Sequence, residues 1–474
     1  MSENKSFYIT TTLPYVNAEP HMGHALEFIR ADIIARSKEL QGFEVFFNTG
    51  TDEHGQKVFA AAHGKDVQSY VDEYAEKFKE LLPKLGILEN IHFIRTTDPK
   101  HIEAAQEFWK RVDKNGYIYK KSYKTKYCIG CEAEKTDSEI ENGSCIIHTN
   151  LELEEREEEN YFFKYSEFSQ KLLDFYEKKP NFVIPESRLN EMREFINGGL
   201  QDFSISRLKE KMSWGIPVPG DKNHVMYVWF DALTSYISTL GWPNDDETFE
   251  KFWANSTPVQ YCGKDNTRFQ SGMWQAMLMA AGLPNSHKIV VNGFVTGEGG
   301  VKMSKSLGNV VNPTQLVDEY GTDALRYFVA RELSTFEDTP FTVERFKEAY
   351  NANLANGIGN LTSRIMTLAE ANLPGPVVSR TVLDMPVELE EALNNFEIQK
   401  AMNHIWEEIG ELDKEIQDKK PWASKDKEVI SDLVIKLYSI ARMLNPLLPE
   451  TSNKIKALIK VNKKPSEPLF LRKD

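Results

Sequence analysis

Cysteine is scarce, with four in 474 residues, which excludes a disulfide-stapled scaffold. Positive charge is also in short supply: 57 Lys and Arg face 71 Asp and Glu, leaving a formal net charge of −14. A uniformly basic coat for nucleic acid is therefore excluded, although a local basic track is not. Long apolar runs are missing too. The longest uncharged stretch, residues 269–286, is interrupted by Gly, Pro, Gln and Asn, so it reads as a buried helix and not a membrane span. Residues 1–6 are polar and residues 7–16 are short and Thr-rich, unlike a secretory leader. The expectation is a soluble, cytoplasmic protein. What is present is 41% hydrophobic and 11% aromatic residues, ample for several packed cores, and a length suggesting about three domains.

The first half alternates short strands and helices. Residues 7–11 are β-rich, and a helix follows from about His24 with Ala25, Phe28, Ile29, Ile33 and Ile34 near helical spacing. Residues 44–48 form a second strand, Gly50 and Gly55 mark a turn, and a helical stretch runs to about Leu85. This rhythm implies a parallel sheet with helices on its faces. It breaks near Gly116. Residues 117–223 carry hairpin-like pieces, three of the four cysteines and the acidic run 152–159. The rhythm resumes with apolar runs at 225–229, 259–262 and 288–291, and after about Val343 the chain is almost entirely helical. One sheet interrupted by an insert is expected, followed by a helical part.

Three motifs carry chemistry. His21-Met22-Gly23-His24 stands after a strand and opens a helix, where unpaired N–H groups and the positive dipole end suit a phosphate. Taken alone, the tetrad is also compatible with a solvated histidine pair. Lys302-Met303-Ser304-Lys305-Ser306 follows Gly297, Gly299 and Gly300; two lysines on a hinged loop can close over a triphosphate and offset charge as pyrophosphate leaves. An exposed basic turn would look the same in isolation. Cys128 and Cys131, with Cys145 and His148, form two knuckles whose four ligands fit a closed, structural zinc site.

His-x-Gly-His and Lys-Met-Ser-Lys-Ser, both beside strands of a divided α/β sheet, form the signature of class I aminoacyl-tRNA synthetases. The chain resembles the methionyl-tRNA synthetase family from Tyr8 to about Trp422. The resemblance rests on Thr12-Leu13-Pro14-Tyr15-Val16-Asn17, Thr49-Gly50-Thr51-Asp52-Glu53-His54-Gly55, Ser213-Trp214-Gly215-Ile216-Pro217, Tyr227-Val228-Trp229-Phe230-Asp231-Ala232-Leu233 and Gly263-Lys264-Asp265. It implies an α/β fold: a Rossmann-like parallel-sheet catalytic domain split by a zinc-containing insert, then an all-α anticodon-binding helix bundle. The corresponding segments are 1–116, 117–224, 225–343 (with the Lys-Met-Ser-Lys-Ser loop) and 344–474.

The implied activity is ATP-dependent ligation of L-methionine to tRNA(Met), initiator and elongator, through methionyl-adenylate. His21, His24, Lys302 and Lys305 would be catalytic, and His21, Gly23, His24, Glu27, Asp265, Lys302 and Lys305 would bind ATP with Mg²⁺. Asp52 would pair with the substrate ammonium, while Leu13, Tyr15, Trp229, Ala232, Leu233 and Tyr236 would form an apolar, polarizable wall for the thioether. The family commonly has histidine where this chain has Asn292; Asn292 is assigned to the methionine pocket but cannot carry a proton. Asn360 and Arg364 share a helix face at i, i+4 and, with Pro421 and Trp422, match anticodon-reading positions. One structural zinc and a monomer without the appended dimerising domain of some relatives complete the expectation. A ligase for another apolar amino acid, an inactive tRNA-binding paralogue and a general nucleotidyltransferase are the competing readings.

Overall fold

The computed structural model describes residues 5–131, 133–135, 139–301, 311–377 and 385–474. In chain order the key elements are β1 (Ser6–Thr10), α1 (Met22–Leu40), β2 (Glu44–Thr51), β3 (His92–Arg95), α2 (Pro99–Lys114), β4 (Val183–Ile184), α3 (Val228–Ala232), β5 (Val259–Gly263) and β6 (Lys288–Asn292). The chain forms two compact units. One comprises Met1–Glu19, Gly42–Glu80 and Asn90–Val291; the other comprises Pro20–Gln41, Leu81–Glu89 and Asn292–Asp474.

The first unit is built on a six-stranded sheet of order β3-β2-β1-β5-β6-β4. The pairs β1–β2, β2–β3, β1–β5 and β4–β6 are parallel. Strands buried along most of their length, as in β1, β2, β5 and β6, are what a sheet covered on both faces requires. Chain order runs outward from β1 to β3 on one side and from β5 to β6 on the other, where the earlier β4 closes the edge, so the ligand crevice expected of such sheets lies at the carboxyl ends of β1 and β5. Polar side chains gather at that end and satisfy one another. Asn48 donates to Thr10 at 3.1 Å, Thr11 and Thr49 hydroxyls meet at 2.7 Å, and Thr239 donates to Asn48 at 2.8 Å. Gly50 is dictated by space, since a Cβ there would lie 1.9 Å from the Ile94 carbonyl oxygen.

The expected strand at 225–229 needs correction. Asp221–Met226 is the middle strand of a separate antiparallel sheet with Ser206–Leu208 and Pro217–Val218, and Val228–Ala232 turns helical as α3. A short apolar run does not distinguish strand from buried helix. Conversely, β4 comes from within 117–224, a two-residue strand too short for any periodicity. The rest of that segment centres on a long hairpin of Ile118–Cys128 against Glu154–Phe163. The acidic run of the sequence is thus mostly one of its strands, and the other carries Lys120, Lys121, Lys124 and Lys126 in its sequence.

The second unit contains α1 and a helical part with Val343–Ala349, Asn360–Asn372, Val387–Asn394, Ile398–Lys419, Lys427–Met443 and Pro449–Val461. Helix α1 is buried on nearly all sides, including Arg30 and Asp32. The Asp32 carboxylate accepts from Arg36 at 2.7 Å and from Leu88 N–H at 2.8 Å, and lies 2.7 Å from the Arg326 guanidinium. Arg326, fully buried, also donates to the carbonyls of Leu85, Pro446 and Leu447. One ion cluster thereby ties α1 to the loop before the last helix. Among the described residues no helix is long and apolar enough to cross a membrane.

Candidate active site

In the first unit the turn after β2 presents Asp52. Its N–H donates to the Pro14 carbonyl at 2.9 Å, and Val16 N–H donates to the Asp52 carbonyl at 3.1 Å, which seats Tyr15 beside it. The next residue is anchored more strongly. The buried Glu53 carboxylate accepts a two-pronged contact from Arg95 at 2.7 and 2.9 Å, plus hydroxyls of Thr51 and Thr97 at 2.6 and 2.5 Å. Trp214 donates its indole N–H to the Glu53 carbonyl at 2.6 Å. The loop cannot swing without breaking these bonds, so the backbone position of Asp52 is set before any ligand arrives. A charge-assisted hydrogen bond to an ammonium there is worth about 1.5–3 kcal/mol.

Trp229, Ala232, Leu233 and Tyr236 recur at i, i+3, i+4 and i+7 along α3 and the turn after it, one helical face. Trp229 is half-buried and lies flat on Phe269, centroids 3.8 Å apart at 6°. Leu13, Ala232, Leu233 and Tyr236 are buried. The opposite side of α3 carries Asp231, whose carboxylate meets His54 Nδ1 and His101 Nε2, both at 2.7 Å. That contact brings the Asp52 turn and the aromatic wall together. Sequence reasoning quoted His54 and Asp231 inside motifs but assigned them nothing and missed His101, for which no local signal exists. Asp265 is exposed in a short turn after β5.

In the second unit, His21 caps α1. Gly23 N–H donates to His21 Nδ1 at 3.1 Å, and His21 N–H donates to His24 Nδ1 at 3.2 Å, with the rings stacked at 3.8 Å. Because both Nδ1 atoms accept, the ring protons sit on Nε2, and both imidazoles become donors of fixed tautomer at a helix N-terminus. Burial, and then the adjacent His21, hold His24 well below the ordinary histidine range. It therefore acts as a neutral donor. A Cβ on Gly23 would come within 3.0 Å of the His21 ring. Glu27 is half-buried on the next turn of α1.

Asn292 ends β6 and is buried. Its Oδ1 accepts from Arg30 at 3.1 Å, and Arg30 is itself fixed by the Thr335 and Ser334 carbonyls at 2.8 Å each. This orients the amide and leaves Nδ2 as its donor, with no partner among the described residues. Beyond Val295–Thr296 the chain turns through Gly299 and Gly300, at φ of 70° and 79°. Lys302 and Lys305 lie outside the described residues.

Cys128, Cys131, Cys145 and His148 converge, with all ligand atoms within 4.8 Å of one another. Cys131 Sγ is 3.5 Å from Cys145 Sγ and 3.2 Å from His148 Nδ1. Tetrahedral zinc at about 2.3 Å from each sulfur needs S–S separations of about 3.8 Å, so the donor set fits. Gly130 completes the cradle, because a Cβ there would sit 2.5 Å from the His148 ring.

Asn360 and Arg364 fall on the helix Asn360–Asn372, with Arg364 donating to Asp413 at 2.5 Å. Such a half-exposed pair is worth under about 1 kcal/mol. Pro421 is buried and opens a short turn, and Trp422 is 46% exposed.

The family model described as tRNA synthetases class I (M) matches residues 7–150 and 130–366. A methionine–tRNA ligase of Thermotoga maritima is 40% identical, over 97% of this chain and 76% of its own length. One from Clostridium acetobutylicum is 39% identical, over 97% and 74%. The structure of Mycobacterium tuberculosis methionyl-tRNA synthetase in complex with methionyl-adenylate superposes with a TM-score of 0.89 at 35% identity, covering 96% of this chain and 94% of that one. A parallel sheet with its motif turns at the carboxyl ends, a cysteine–histidine knuckle and these matches over nearly the whole length agree: the chain belongs to the methionyl-tRNA synthetase family of class I aminoacyl-tRNA synthetases.

Proposed function

We propose that this chain ligates L-methionine to tRNA(Met), initiator and elongator, at the expense of ATP. A methionine carboxylate oxygen attacks the α-phosphorus, the bond to the β-phosphate oxygen breaks, and methionyl-adenylate and pyrophosphate form. A hydroxyl of the terminal tRNA ribose then attacks the adenylate carbonyl, and AMP leaves with the mixed-anhydride oxygen. No enzyme nucleophile takes part, so the protein's contribution is positioning and phosphate electrostatics.

Asp52 holds the ammonium; Leu13, Tyr15, Trp229, Ala232, Leu233 and Tyr236 enclose the thioether, and Asn292 donates to the substrate through Nδ2. His21 and His24 donate Nε2–H to ATP phosphates, with Gly23 keeping the helix end open. Glu27 and Asp265 serve the nucleoside, Lys302 and Lys305 offset charge on the departing pyrophosphate, and the triphosphate enters with Mg²⁺. Cys128, Cys131, Cys145 and His148 hold one zinc ion that stiffens the insert. Asn360, Arg364, Pro421 and Trp422 read the anticodon, by amide and guanidinium contacts to base edges and by stacking. The division 1–116, 117–224, 225–343 and 344–474 belongs to the same proposal, as do a monomeric state and a cytoplasmic location.

The observation that carries this reading is the tethered Asp52 turn bonded, through His54 and Asp231, to an aromatic wall, in a chain aligned over 96% of its length with a methionyl-adenylate-bearing synthetase. The test is ATP–pyrophosphate exchange with each of the twenty amino acids at fixed Mg²⁺. Exchange with methionine alone is expected. Exchange with a different amino acid, or none from folded protein with tRNA added, overturns the proposal.

A further inference from the structure

Three side chains of the first unit remain without a role in the chemistry above, and they form one buried chain of hydrogen bonds. Asp231, fully buried, receives His54 Nδ1 on Oδ2 and His101 Nε2 on Oδ1, each at 2.7 Å, and His101 Nδ1 meets the Ser238 hydroxyl at 2.8 Å. Three separate stretches are joined: His54 lies two residues after Asp52, Asp231 sits on α3 between Trp229 and Ala232, and His101 belongs to α2. Burial alone would push the Asp231 carboxyl up, but the charge interaction with His54 and the hydrogen bonds from both imidazoles outweigh it and hold it below the ordinary range. As a carboxylate it only accepts, so the proton assignment follows. His54 donates from Nδ1 and His101 donates from Nε2, while His101 Nδ1 stays within hydrogen-bond distance of the Ser238 hydroxyl.

The neighbourhood shows what this fixes. Phe230, next to Asp231, packs on Phe108 and Trp109 of α2 at 5.7 and 5.3 Å. Helix α3 runs on through Leu233 and Thr234 into the short helix Ser235–Ser238, and in so short a helical stretch outside packing contacts, not helix propensity, set its rotation. A turn of α3 about its axis would move Trp229 and Ala232 relative to Asp52.

We infer that His54, Asp231 and His101 are positioning residues for amino-acid recognition: they lock the helix bearing the thioether wall to the turn bearing the ammonium anchor, so that both ends of one amino acid are gripped at a set separation. This inference rests on the methionine site proposed above. A generic core cluster would lower stability, or kcat, without sorting between substrates. A gauge between two subsites changes the affinity for the amino acid and leaves that for ATP alone.

The experiment is methionine-dependent ATP–pyrophosphate exchange on the full chain, wild type against His101→Leu and His101→Gln. The Gln amide places a donor where Nε2 stood, whereas Leu places none. Expected is a KM for methionine raised ten-fold or more in His101→Leu, with KM for ATP and kcat within two-fold, and restoration to within three-fold of wild type in His101→Gln. His54→Leu and His54→Asn repeat the design on the other carboxylate oxygen, Asn replacing the Nδ1 donor. Unchanged KM for methionine, equal changes in both KM values, or failure of both Leu variants to fold overturns the inference. Absence of methionine-dependent exchange in the wild type would instead overturn the proposed function, so the two failures are separable.

Discussion

Replacing Asp32 by Asn keeps the shape of a fully buried side chain and removes its charge. Arg36 and Arg326 then lose the anion that stands 2.7 Å from each, and Arg326 has no solvent contact to compensate. Breaking a buried pair from one side costs about 3–5 kcal/mol. Arg326→Met removes the buried cation but strips a donor from the Leu85, Pro446 and Leu447 carbonyls, at about 1–3 kcal/mol for each one left dry. The double variant removes the fully buried cation together with the anion and leaves only Arg36, which keeps its bond to the Gly86 carbonyl at 2.7 Å and is partly exposed. Its loss should fall short of the summed single losses by about 2–3 kcal/mol, the upper range for groups in direct contact. Guanidinium unfolding followed by far-ultraviolet circular dichroism measures all three, and exchange activity should fall in Asp32→Asn because α1 carries His21 and His24. A loss below 1 kcal/mol in Asp32→Asn, or strict additivity in the double variant, refutes the reasoning.

Gly23→Ala should abolish most exchange activity while leaving the melting temperature unchanged or slightly raised. The new Cβ displaces the His21 ring, yet alanine gains up to about 1 kcal/mol of helix propensity over glycine. Asp52→Asn should raise KM for methionine about 10- to 150-fold, the equivalent of one charge-assisted bond, with KM for ATP unchanged in the same exchange assay. Gly130→Ala should lower bound zinc, read by elemental analysis, because its Cβ overlaps the His148 ring; full retention would count against the site. His24 is held neutral in the fold, so protons favour the unfolded chain as pH falls below about 6.5, the unperturbed histidine value. Melting temperatures between pH 7 and 5 should therefore drop more steeply for wild type than for His24→Gln.

Much of the candidate site could be named because its residues stand in short motifs. Asp52 directly follows a strand of the parallel sheet, and the four cysteine and histidine ligands sit in two knuckles at metal-ligand spacing. What escaped depends on partners far away in the chain. His101 meets Asp231 across 130 residues, and nothing in the sequence around either announces it. Arg30 and Asp32 look like the polar side of an amphipathic helix, but other segments of the second unit cover that side as well, and the two groups are satisfied there by Thr335, Ser334, Leu88 and Arg326. The run 225–229 failed as a strand because five apolar residues specify burial and not a pairing partner. The tautomers of His21 and His24 follow from a cap whose geometry only coordinates reveal.

The hairpin of Ile118–Cys128 and Glu154–Phe163 sets lysines beside glutamates. Lys126 is opposite Glu155 in the register, and Lys120 reaches Glu159 at 3.1 Å. Each such pair cancels its own formal charge across a gap of about 4.8 Å. Seen from afar, this arm is a row of transverse dipoles, whose potential dies away faster than that of any single charge. A phosphate backbone drifting in from solution feels neither pull nor push from it until within roughly a Debye length, about 8 Å at physiological ionic strength. At close quarters the arm distinguishes one edge from the other: an approaching polyanion is attracted at Lys126 and Lys120 and repelled at Glu155 and Glu159.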